Sequence, residues 1–266
     1  MKQIAALIFF LLSIFAFSCF SQTIVPGHAH NDYVNRRPLH EALESGLISV
    51  EADVHLMKGE LYVAHVRPLW RNKERTLENL YLKPLLEHVN KNDGKIYPDD
   101  DSQFYLMIDF KNGSLEMYNR LKELLEKYRS ILSVVENGKE QPGAVKVFMS
   151  GSRPTQEVLD EETKLATLDG RPSDIGKGFS AVVMPVISDS YHSQLKWNGR
   201  GEMPESEQQK LKELASKVHA EGKKLRLWAS PENPNAWEIF HKLGIDLINT
   251  NKPKKFADYF RTVSPE

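Results

Sequence analysis

The sequence predicts a single (β/α)8 TIM barrel, an α/β fold in one domain, and three observations lead to this. The chain has 266 residues, the usual size of one such barrel. Short apolar runs typical of strands alternate along it with amphipathic helical stretches. Eight strands follow from this pattern, which favours a closed barrel, with a doubly wound parallel sheet as the alternative fold.

The strands and helices follow one another from the amino to the carboxyl end of the chain. The predicted strands are Thr23–Gly27, Leu47–His55, Phe104–Phe110, Val145–Ser150, Lys164–Leu168, Ala181–Ser188, Lys224–Ser230 and Ile245–Asn249. Helices are expected near Pro38–Glu44, Leu77–Asn90, Leu115–Arg129, Thr155–Glu161, Glu205–Glu221 and Asn235–Lys242. The polar stretch Asn90–Ser102 and the segment Asp189–Met203 are predicted to be surface loops.

The first 21 residues have the pattern of a secretory signal peptide, so the barrel domain is expected over residues 22–266. Lys2 precedes an apolar run, and small residues surround a cleavage point after Ser21. The run is too short for a stable membrane span. Cleavage there leaves a soluble, exported protein, periplasmic or secreted, that begins at Gln22. Cleavage before Cys19 would leave a lipid-anchored protein, but Phe17 fits a lipoprotein signal poorly.

Charge and cysteine content exclude some classes of protein. Removal of residues 1–21 takes away Lys2 and leaves 34 basic and 36 acidic residues, a formal charge of −2. This balance does not favour a nucleic acid as a partner. Cys19 is the single cysteine of the chain, so the barrel domain has neither a disulfide framework nor a thiolate metal site.

The second predicted strand, Leu47–His55, carries two acidic residues on one face. Alternate side chains of a strand point to opposite sides, so the apolar residues at even positions from Ile48 to Val54 form a face that packs on helices. Glu51 and Asp53 then point into the barrel. Buried carboxylates are costly unless a cation neutralises them, and carboxylate oxygens are ligands that Mg²⁺ and Ca²⁺ prefer.

The third predicted strand, Phe104–Phe110, brings a further carboxylate to the same place. Its alternation puts Asp109 and Lys111 on the face that points into the barrel. Because the carboxyl ends of barrel strands meet at one mouth, Asp109 is expected beside Glu51 and Asp53. The three carboxylates predict a site for a divalent metal, Mg²⁺ or Ca²⁺, with Lys111 as a positive group for a phosphate or for the carboxylates.

Two histidines are predicted to lie near these carboxylates. His28 follows the first predicted strand in the run Gly-His-Ala-His-Asn-Asp-Tyr, and His65 ends the apolar run that begins at Leu61. Cleavage of a phosphodiester needs a base for the attacking hydroxyl and an acid for the leaving oxygen. Histidine suits both roles near neutral pH.

These motifs resemble those of a known superfamily. The run GHAHNDY at 27–33, VEADV at 50–54, AH at 64–65 and DFK at 109–111 resemble the glycerophosphodiester phosphodiesterase and phosphatidylinositol phospholipase C-like superfamily. The resemblance is closest to a group named after a yeast altered-inheritance-of-mitochondria protein, and the motifs are also similar to those of the sphingomyelinase D branch. Its specific motifs cover residues 25–111. It implies a barrel with a bound divalent metal, two catalytic histidines, and a small phosphodiester or a phospholipid head group as substrate.

The resemblance assigns a role to each matching position of this chain. The chain differs from typical glycerophosphodiester phosphodiesterases, because Ala29 and His30 stand in place of an Arg-Gly pair and no Pro-Glu-Asn-Thr run follows. The substrate class therefore stays open between glycerol and lipid phosphodiesters. The assigned residues are His28 as base and His65 as acid, Lys111 beside them, Glu51, Asp53 and Asp109 as metal ligands, and Asn31 as the polar residue of the first motif.

The second half of the chain contributes candidates for the substrate pocket. Loops at the carboxyl ends of barrel strands build this pocket. Arg153 follows the fourth predicted strand, and Arg226 and Trp228 share the inward face of the seventh. Asn249 ends the eighth. We expect these four side chains, together with Asn31 of the first motif, to contact the substrate.

Two other functions are compatible with the sequence. His28 and His30 also resemble the His-x-His metal pair of amidohydrolases, but the fourth, fifth and eighth predicted strands end in Ser150, Asp169 and Asn249 rather than in further histidines. The other alternative is an exported binding protein that keeps the barrel without catalytic activity.

Overall fold

The computed structural model describes residues 22–113 and 115–263; the predicted signal peptide lies outside them. In this part of the chain, the strands are β1 Val25–Ala29, β2 Leu47–Met57, β3 Glu60–Val63, β4 Phe104–Phe110, β5 Val134–Glu136, β6 Lys139–Gln141, β7 Val145–Gly151, β8 Thr163–Lys164, β9 Thr167–Gly170, β10 Val186–Ser190, β11 Lys224–Trp228 and β12 Leu247–Thr250. The α-helices are α1 His40–Glu44, α2 Lys83–Lys91, α3 Leu115–Glu126, α4 Thr155–Asp160, α5 Tyr191–Gln194, α6 Glu205–Ala220, α7 Pro234–Lys242 and α8 Pro253–Val263. A π-helical turn, Glu78–Leu82, leads into α2.

Eight parallel strands close into a barrel, as the sequence predicts. Their order around the barrel is β1, β2, β4, β7, β9, β10, β11 and β12, and β12 pairs with β1. The antiparallel strand β3 pairs with the far end of β2, so this hairpin extends beyond the mouth of the barrel. A small separate sheet of β5, β6 and β8 lies outside the barrel.

The barrel separates an outer apolar core from a polar upper interior. Val50, Ala52 and Val54 of β2 are fully buried in the core that includes the surrounding helices. A small second cluster fills the interior below the polar side chains, with Met107, Phe148, Val186 and Leu247. Ile48, which the alternation of β2 places on the outer face, instead packs against this inner cluster.

Three strands are displaced along the chain from their predicted positions. The first runs two residues later than predicted, over Val25–Ala29, so that His28 is inside it. The fifth lies at Thr167–Gly170, and Lys164, the first residue of the predicted strand, belongs to β8 of the small sheet instead. The sixth begins only at Val186, because residues 181–183 form a turn in which the Met184 amide donates to the Ser180 carbonyl.

Two helices, α5 and α8, differ from the sequence-based expectation, although the signals of α8 are present in the sequence. Helix α8 begins at Pro253, and Phe256, Ala257 and Phe260 are its buried residues. Proline in the first turn and apolar residues three and four positions apart are typical of such a helix. Of the predicted loops, Asp189–Met203 contains α5 and the buried Trp197. Within the described ranges, no helix combines the length and the apolar character that crossing a bilayer requires.

Candidate active site

A cavity of about 470 Å³ opens at the carboxyl ends of the barrel strands. This is the end of the barrel at which the sequence places the carboxylates, and it is where active sites of this fold are found. Histidine, carboxylate and cationic side chains share its wall with one tryptophan. The lining residues are His30, Glu51, His65, Met107, Asp109, Lys111, Ser150, Gly151, Arg171, Arg226, Trp228 and Ala229.

Three carboxylates converge at this mouth of the barrel: Glu51 and Asp109 line the cavity, and Asp53 is buried beside them. Glu51, Asp53 and Asp109 each offer one oxygen atom, and these atoms all lie within 4.8 Å of one another. The register explains the convergence, because Asp53 of β2 is paired directly with Asp109 of β4. Glu51 and Asp53 are buried, and Asp109 is half-buried.

The two oxygens of Asp53 have very different surroundings. Oδ2 accepts hydrogen bonds from the Tyr33 hydroxyl at 2.7 Å and from Lys111 Nζ at 2.8 Å. His65 Nδ1 lies 3.0 Å from the same oxygen. Oδ1 is buried and has no hydrogen-bond partner in the described part of the chain. An unpartnered buried carboxylate oxygen is costly, and a bound cation would satisfy it.

Glu51 is surrounded by nitrogen atoms. Arg226 Nη2 donates to Glu51 Oε2 at 3.0 Å, and His28 Nε2 lies 3.4 Å from the same oxygen. His30 Nε2 is 3.8 Å away. Arg226 in turn donates through Nε to Asn249 Oδ1 at 3.0 Å, so β11 and β12 orient the cation that faces Glu51.

Burial and these charges set the protonation states. Burial first, and then the charge of Arg226, lowers the pKa of His28 to about 3, so the imidazole is neutral at neutral pH. Burial alone would raise the pKa of Glu51, but the neighbouring His28 ring and the charge of Arg226 outweigh it and hold that pKa below its usual range. Burial and the charge of Glu51 raise the pKa of Asp53. Burial opposes the charge of Lys111, but hydrogen bonds to Asp109 and Asp53 raise its pKa.

Gly151 allows β7 to lie close to Asp109. A Cβ atom at this position would be 2.3 Å from Asp109 Oδ1 and 2.5 Å from the Phe110 carbonyl oxygen. Its φ of +66° is also a conformation that glycine adopts readily. Glycine is therefore required here for the carboxylate of Asp109 to occupy its position at the cavity wall.

The structure places the two predicted catalytic histidines differently. His65 lines the cavity, and its side chain is 65% exposed. His28 is fully buried behind Glu51, and its Nδ1 lies 2.7 Å from the Ser49 hydroxyl. His30 lines the cavity with a half-buried side chain, although it is absent from the catalytic residues chosen from the sequence. The sequence signal for His30 was its position two residues after His28, directly beyond the end of β1.

The predicted substrate-binding residues are brought together in part. Arg226 and Trp228 line the cavity, and Trp228 is followed by Ala229, whose φ of +57° is unusual for a residue with a side chain. Asn249 lies beneath Arg226. Asn31 and Arg153 are not among the lining residues: Asn31 Oδ1 lies 2.7 Å from the Tyr33 hydroxyl oxygen, and Arg153 donates to the Gly151 carbonyl at 3.1 Å.

Arg171 is a cavity residue that the selection of binding residues from the sequence omitted. It donates through Nη1 to Asp169 Oδ2 at 2.7 Å. The hydroxyls of Ser150 and Ser188 also donate to Asp169, at 2.7 Å and 2.6 Å. Arg171, Lys111 and Arg226 give the cavity three cationic side chains from three different strand ends, a wall suited to an anionic ligand.

The donor set fits a divalent cation that prefers oxygen ligands. Glu51, Asp53 and Asp109 would hold it, and the unpartnered Oδ1 of Asp53 is the atom whose surroundings most require it. A bound divalent cation would offset the repulsion among the carboxylates and polarise a phosphoryl oxygen.

Comparison with known proteins assigns the chain to a family. Residues 19–167, more than half of the chain, match the AIM6-like phosphodiesterase domain, and the chain belongs to this family. The matched segment contains Glu51, Asp53 and Asp109 together with both predicted catalytic histidines. The family assignment and the closed barrel agree with the resemblance to a phospholipase C-like phosphodiesterase group, and they indicate a function of the phosphodiesterase type.

Several fungal proteins are similar over most of the chain. The altered inheritance of mitochondria protein 6 homolog of Arthroderma benhamiae is 26% identical, across 89% of this chain and 84% of its own length. Altered inheritance of mitochondria protein 6 of Kluyveromyces lactis is 27% identical, across 89% of this chain and 73% of its own. The protein of that name from Saccharomyces cerevisiae strain S288c is 26% identical, across 85% and 68%.

Proposed function

We propose that this chain is an exported, metal-dependent phosphoric diester hydrolase that acts on a small phosphodiester or a phospholipid head group. The observation that carries the proposal is the buried, unpartnered Oδ1 of Asp53 among three converging carboxylates. Lys111, Arg171 and Arg226 line the cavity above them and suit an anionic phosphodiester. The family to which the chain belongs supports the reaction class.

The test of the metal dependence is a screen of purified protein against lipid and glycerol phosphodiesters. Mg²⁺ and Ca²⁺ are each added after treatment with a chelator. We expect turnover with at least one of these metals and its loss in chelator. Turnover that withstands the chelator would contradict the metal requirement. Absence of turnover on every diester would instead favour a binding protein without catalytic activity, and rescue by zinc alone would favour the amidohydrolase-like alternative.

In the proposed mechanism, His65 is the general acid and His28 is the general base. His65 reaches the cavity, and its Nδ1 contact with Asp53 orients the ring. The Ser49 hydroxyl donates to the Tyr105 carbonyl at 3.0 Å, so it accepts the Nδ1 proton of His28. Nε2 of the neutral ring then faces Glu51 without a proton, which is the state that a general base requires. His30 is the second candidate for the base, because it directly follows β1 and its imidazole lines the cavity.

Substrates with different leaving groups distinguish these roles. A general acid matters most for a poor leaving group, such as an alkyl alcohol, and least for a nitrophenolate. In single-turnover kinetics, His65→Ala should slow cleavage of an alkyl diester by roughly 10²–10⁴-fold and largely spare a nitrophenyl diester. His28→Asn should slow both, whereas His30→Ala should stay within a few-fold of the wild-type rate. A large loss on both substrates in His30→Ala, with His28→Asn active, would transfer the base to His30.

Export is part of the same proposal. The apolar run before Ser21 supports a cleaved signal peptide and a protein that begins at Gln22. Intact-mass measurement of the exported protein tests this. A diacylglyceryl group on Cys19 would show the lipid-anchored form instead.

A further inference from the structure

The exposed apolar side chains of the molecule are concentrated at the end of the barrel that carries the cavity. Among the described residues, seven large apolar side chains are exposed, and six of them follow the carboxyl ends of β1, β3, β4 and β11. The seventh, Val263, ends α8, where the neighbouring Arg261 donates to the Ser45 carbonyl just before β2 begins. It therefore lies at the opposite end. The six are Val34, Val66, Leu69, Trp70, Leu115 and Trp228.

Three of the six occur in one segment, residues 66–73, which we term the rim loop. Leu69 is 88% exposed and Trp70 is 83% exposed, values that a folded domain rarely allows for such side chains without a partner. The loop begins directly after His65, which contacts Asp53 in the cavity. It is therefore continuous with the wall of the proposed active site.

The rim loop is held in place at both ends. On one side, the Ala64 amide donates to the Asp53 carbonyl at 3.1 Å. On the other side, Arg75 donates to the Tyr33 carbonyl at 2.9 Å, and Thr76 pairs with Tyr62 of β3. The apolar side chains are thus presented outward by an anchored segment, and a groove of about 820 Å³ separates the loop from the β2–β3 hairpin.

The charge of the rim loop is opposite in sign to that of the whole chain. The loop contains Arg67, Arg71 and Lys73 and no acidic residue, whereas the chain carries a formal charge of −1. Within the described part of the chain, none of these three cationic groups has a hydrogen bond or an ion pair, and all three residues are exposed. Three unpaired cations beside an exposed tryptophan and leucine are the combination that binds the interface of an anionic membrane.

We propose that the rim loop docks the barrel mouth onto an anionic lipid surface, with Leu69 and Trp70 inserted among the head groups and the cations against lipid phosphates. A membrane suits the arrangement better than a protein partner does, because the exposed apolar side chains lie at or after the carboxyl ends of four different strands. A planar surface can contact all of them together. Docking would bring lipid head groups to the cavity. Only the further step, in which a membrane phosphodiester is the substrate, rests on the proposed function.

The test is sedimentation of the protein with sucrose-loaded vesicles of phosphatidylcholine. One set of vesicles also contains about 30 mol% phosphatidylglycerol, which gives an anionic surface. All proteins begin at Gln22, because the closed barrel lies within residues 25–250 and residues 1–21 are themselves apolar. We expect Leu69→Ala/Trp70→Ala to weaken binding to anionic vesicles by ~10–100-fold. Val263→Ser, at the opposite end, is the matched control and should bind as the wild type does.

A second pair of variants tests the charge. Arg67→Gln/Arg71→Gln should weaken binding to anionic vesicles by about 10-fold or more and change binding to neutral vesicles little. The control Lys212→Gln/Lys217→Gln removes two exposed lysines of α6 and should have no effect. Equal binding by wild type and both rim-loop variants would overturn the proposal, as would equal losses in the controls.

Two further readouts separate the alternatives. Analytical ultracentrifugation without vesicles would show whether Leu69→Ala/Trp70→Ala turns a dimer into a monomer. If it does, and if the wild type does not bind vesicles, the rim loop contacts a second copy of the chain and the proposal is overturned. Cleavage of a water-soluble nitrophenyl diester should be unchanged in the rim-loop variants. Vesicle binding is measured without turnover. The docking proposal can therefore hold when the phosphodiesterase proposal fails, and the docking proposal can fail when the phosphodiesterase proposal holds.

Discussion

Two fully buried aspartates at the same barrel mouth, Asp53 and Asp169, differ in how completely their oxygens are partnered. Asp169 accepts from Ser150 and Arg171 on one oxygen and from Ser188 on the other. Asp53 has three partners on Oδ2 and none on Oδ1. A carboxylate whose oxygens are all paired stabilises the strands around it, whereas one with an unpaired oxygen is suited to bind a cation. Burial alone does not distinguish the two roles.

Replacing each of the two aspartates by asparagine tests this difference, and the largest expected effect is the loss of activity in Asp53→Asn. Asp53→Asn should reduce phosphodiester turnover by more than roughly 100-fold, because even the loss of a group that merely supports a metal ligand costs about 10–100-fold in affinity or activity. In metal-free buffer its free energy of unfolding should not fall by more than about 1 kcal/mol, because repulsion from Glu51 is relieved.

Steady-state kinetics and thermal melts with and without the active metal measure these effects. The metal should raise the melting temperature of the wild type and leave that of Asp53→Asn unchanged. A variant that keeps wild-type turnover and metal-dependent stabilisation would show that Asp53 is not a ligand.

Asp169→Asn should have its main effect on stability. The amide loses one acceptor oxygen and places an NH₂ group near the Arg171 guanidinium, so we expect a loss of about 2 kcal/mol in the free energy of unfolding. Removing a partner from a fully buried ion pair costs more, but Arg171 is one-third exposed. Urea denaturation measures the loss, and the folded variant should keep metal-dependent turnover. Unchanged stability would show that the network around Asp169 contributes little to the fold.

A third buried carboxylate, Asp32, sharpens the comparison because its partners are all neutral. It accepts from the Leu39 amide at 2.5 Å, from the Tyr81 hydroxyl at 3.0 Å and from the Asn35 side chain at 3.3 Å. Burial raises its pKa to about 6. The folded state therefore binds more protons than the unfolded state between about pH 4 and pH 6. Stability from this group is present below that window and is lost as the pH rises through it, by an amount on the order of 3 kcal/mol.

Urea denaturation of the wild type and Asp32→Asn at several pH values measures this contribution. Asp32→Asn cannot ionise at this position, so its unfolding free energy should fall less steeply between pH 4 and pH 6 than that of the wild type. The difference between the two slopes, rather than the absolute stability, is the readout, since the amide also changes the hydrogen bonds to Tyr81 and Leu39. Parallel slopes would mean that Asp32 titrates normally.

The sequence by itself determined the fold class and the meeting of the three carboxylates. Alternation along Leu47–His55 and Phe104–Phe110 is a local property of each strand, and parallel strands of a barrel end at one mouth, so Glu51, Asp53 and Asp109 had to converge. The same local logic was insufficient where a segment changes partners, as in residues 163–170, which the structure divides between two sheets.

Only the tertiary structure decided which side chains reach the cavity and which are sealed beneath it. His28 and His30 look equivalent in the sequence pattern, since they are two residues apart at the end of the first predicted strand. Their difference arises because Arg226, 175 residues beyond Glu51, comes from another strand to cover Glu51 and the buried ring of His28. The free oxygen of Asp53 likewise depends on where Tyr33, Lys111 and His65 meet. Such contacts join residues distant along the chain, and periodicity within one strand carries no information about them.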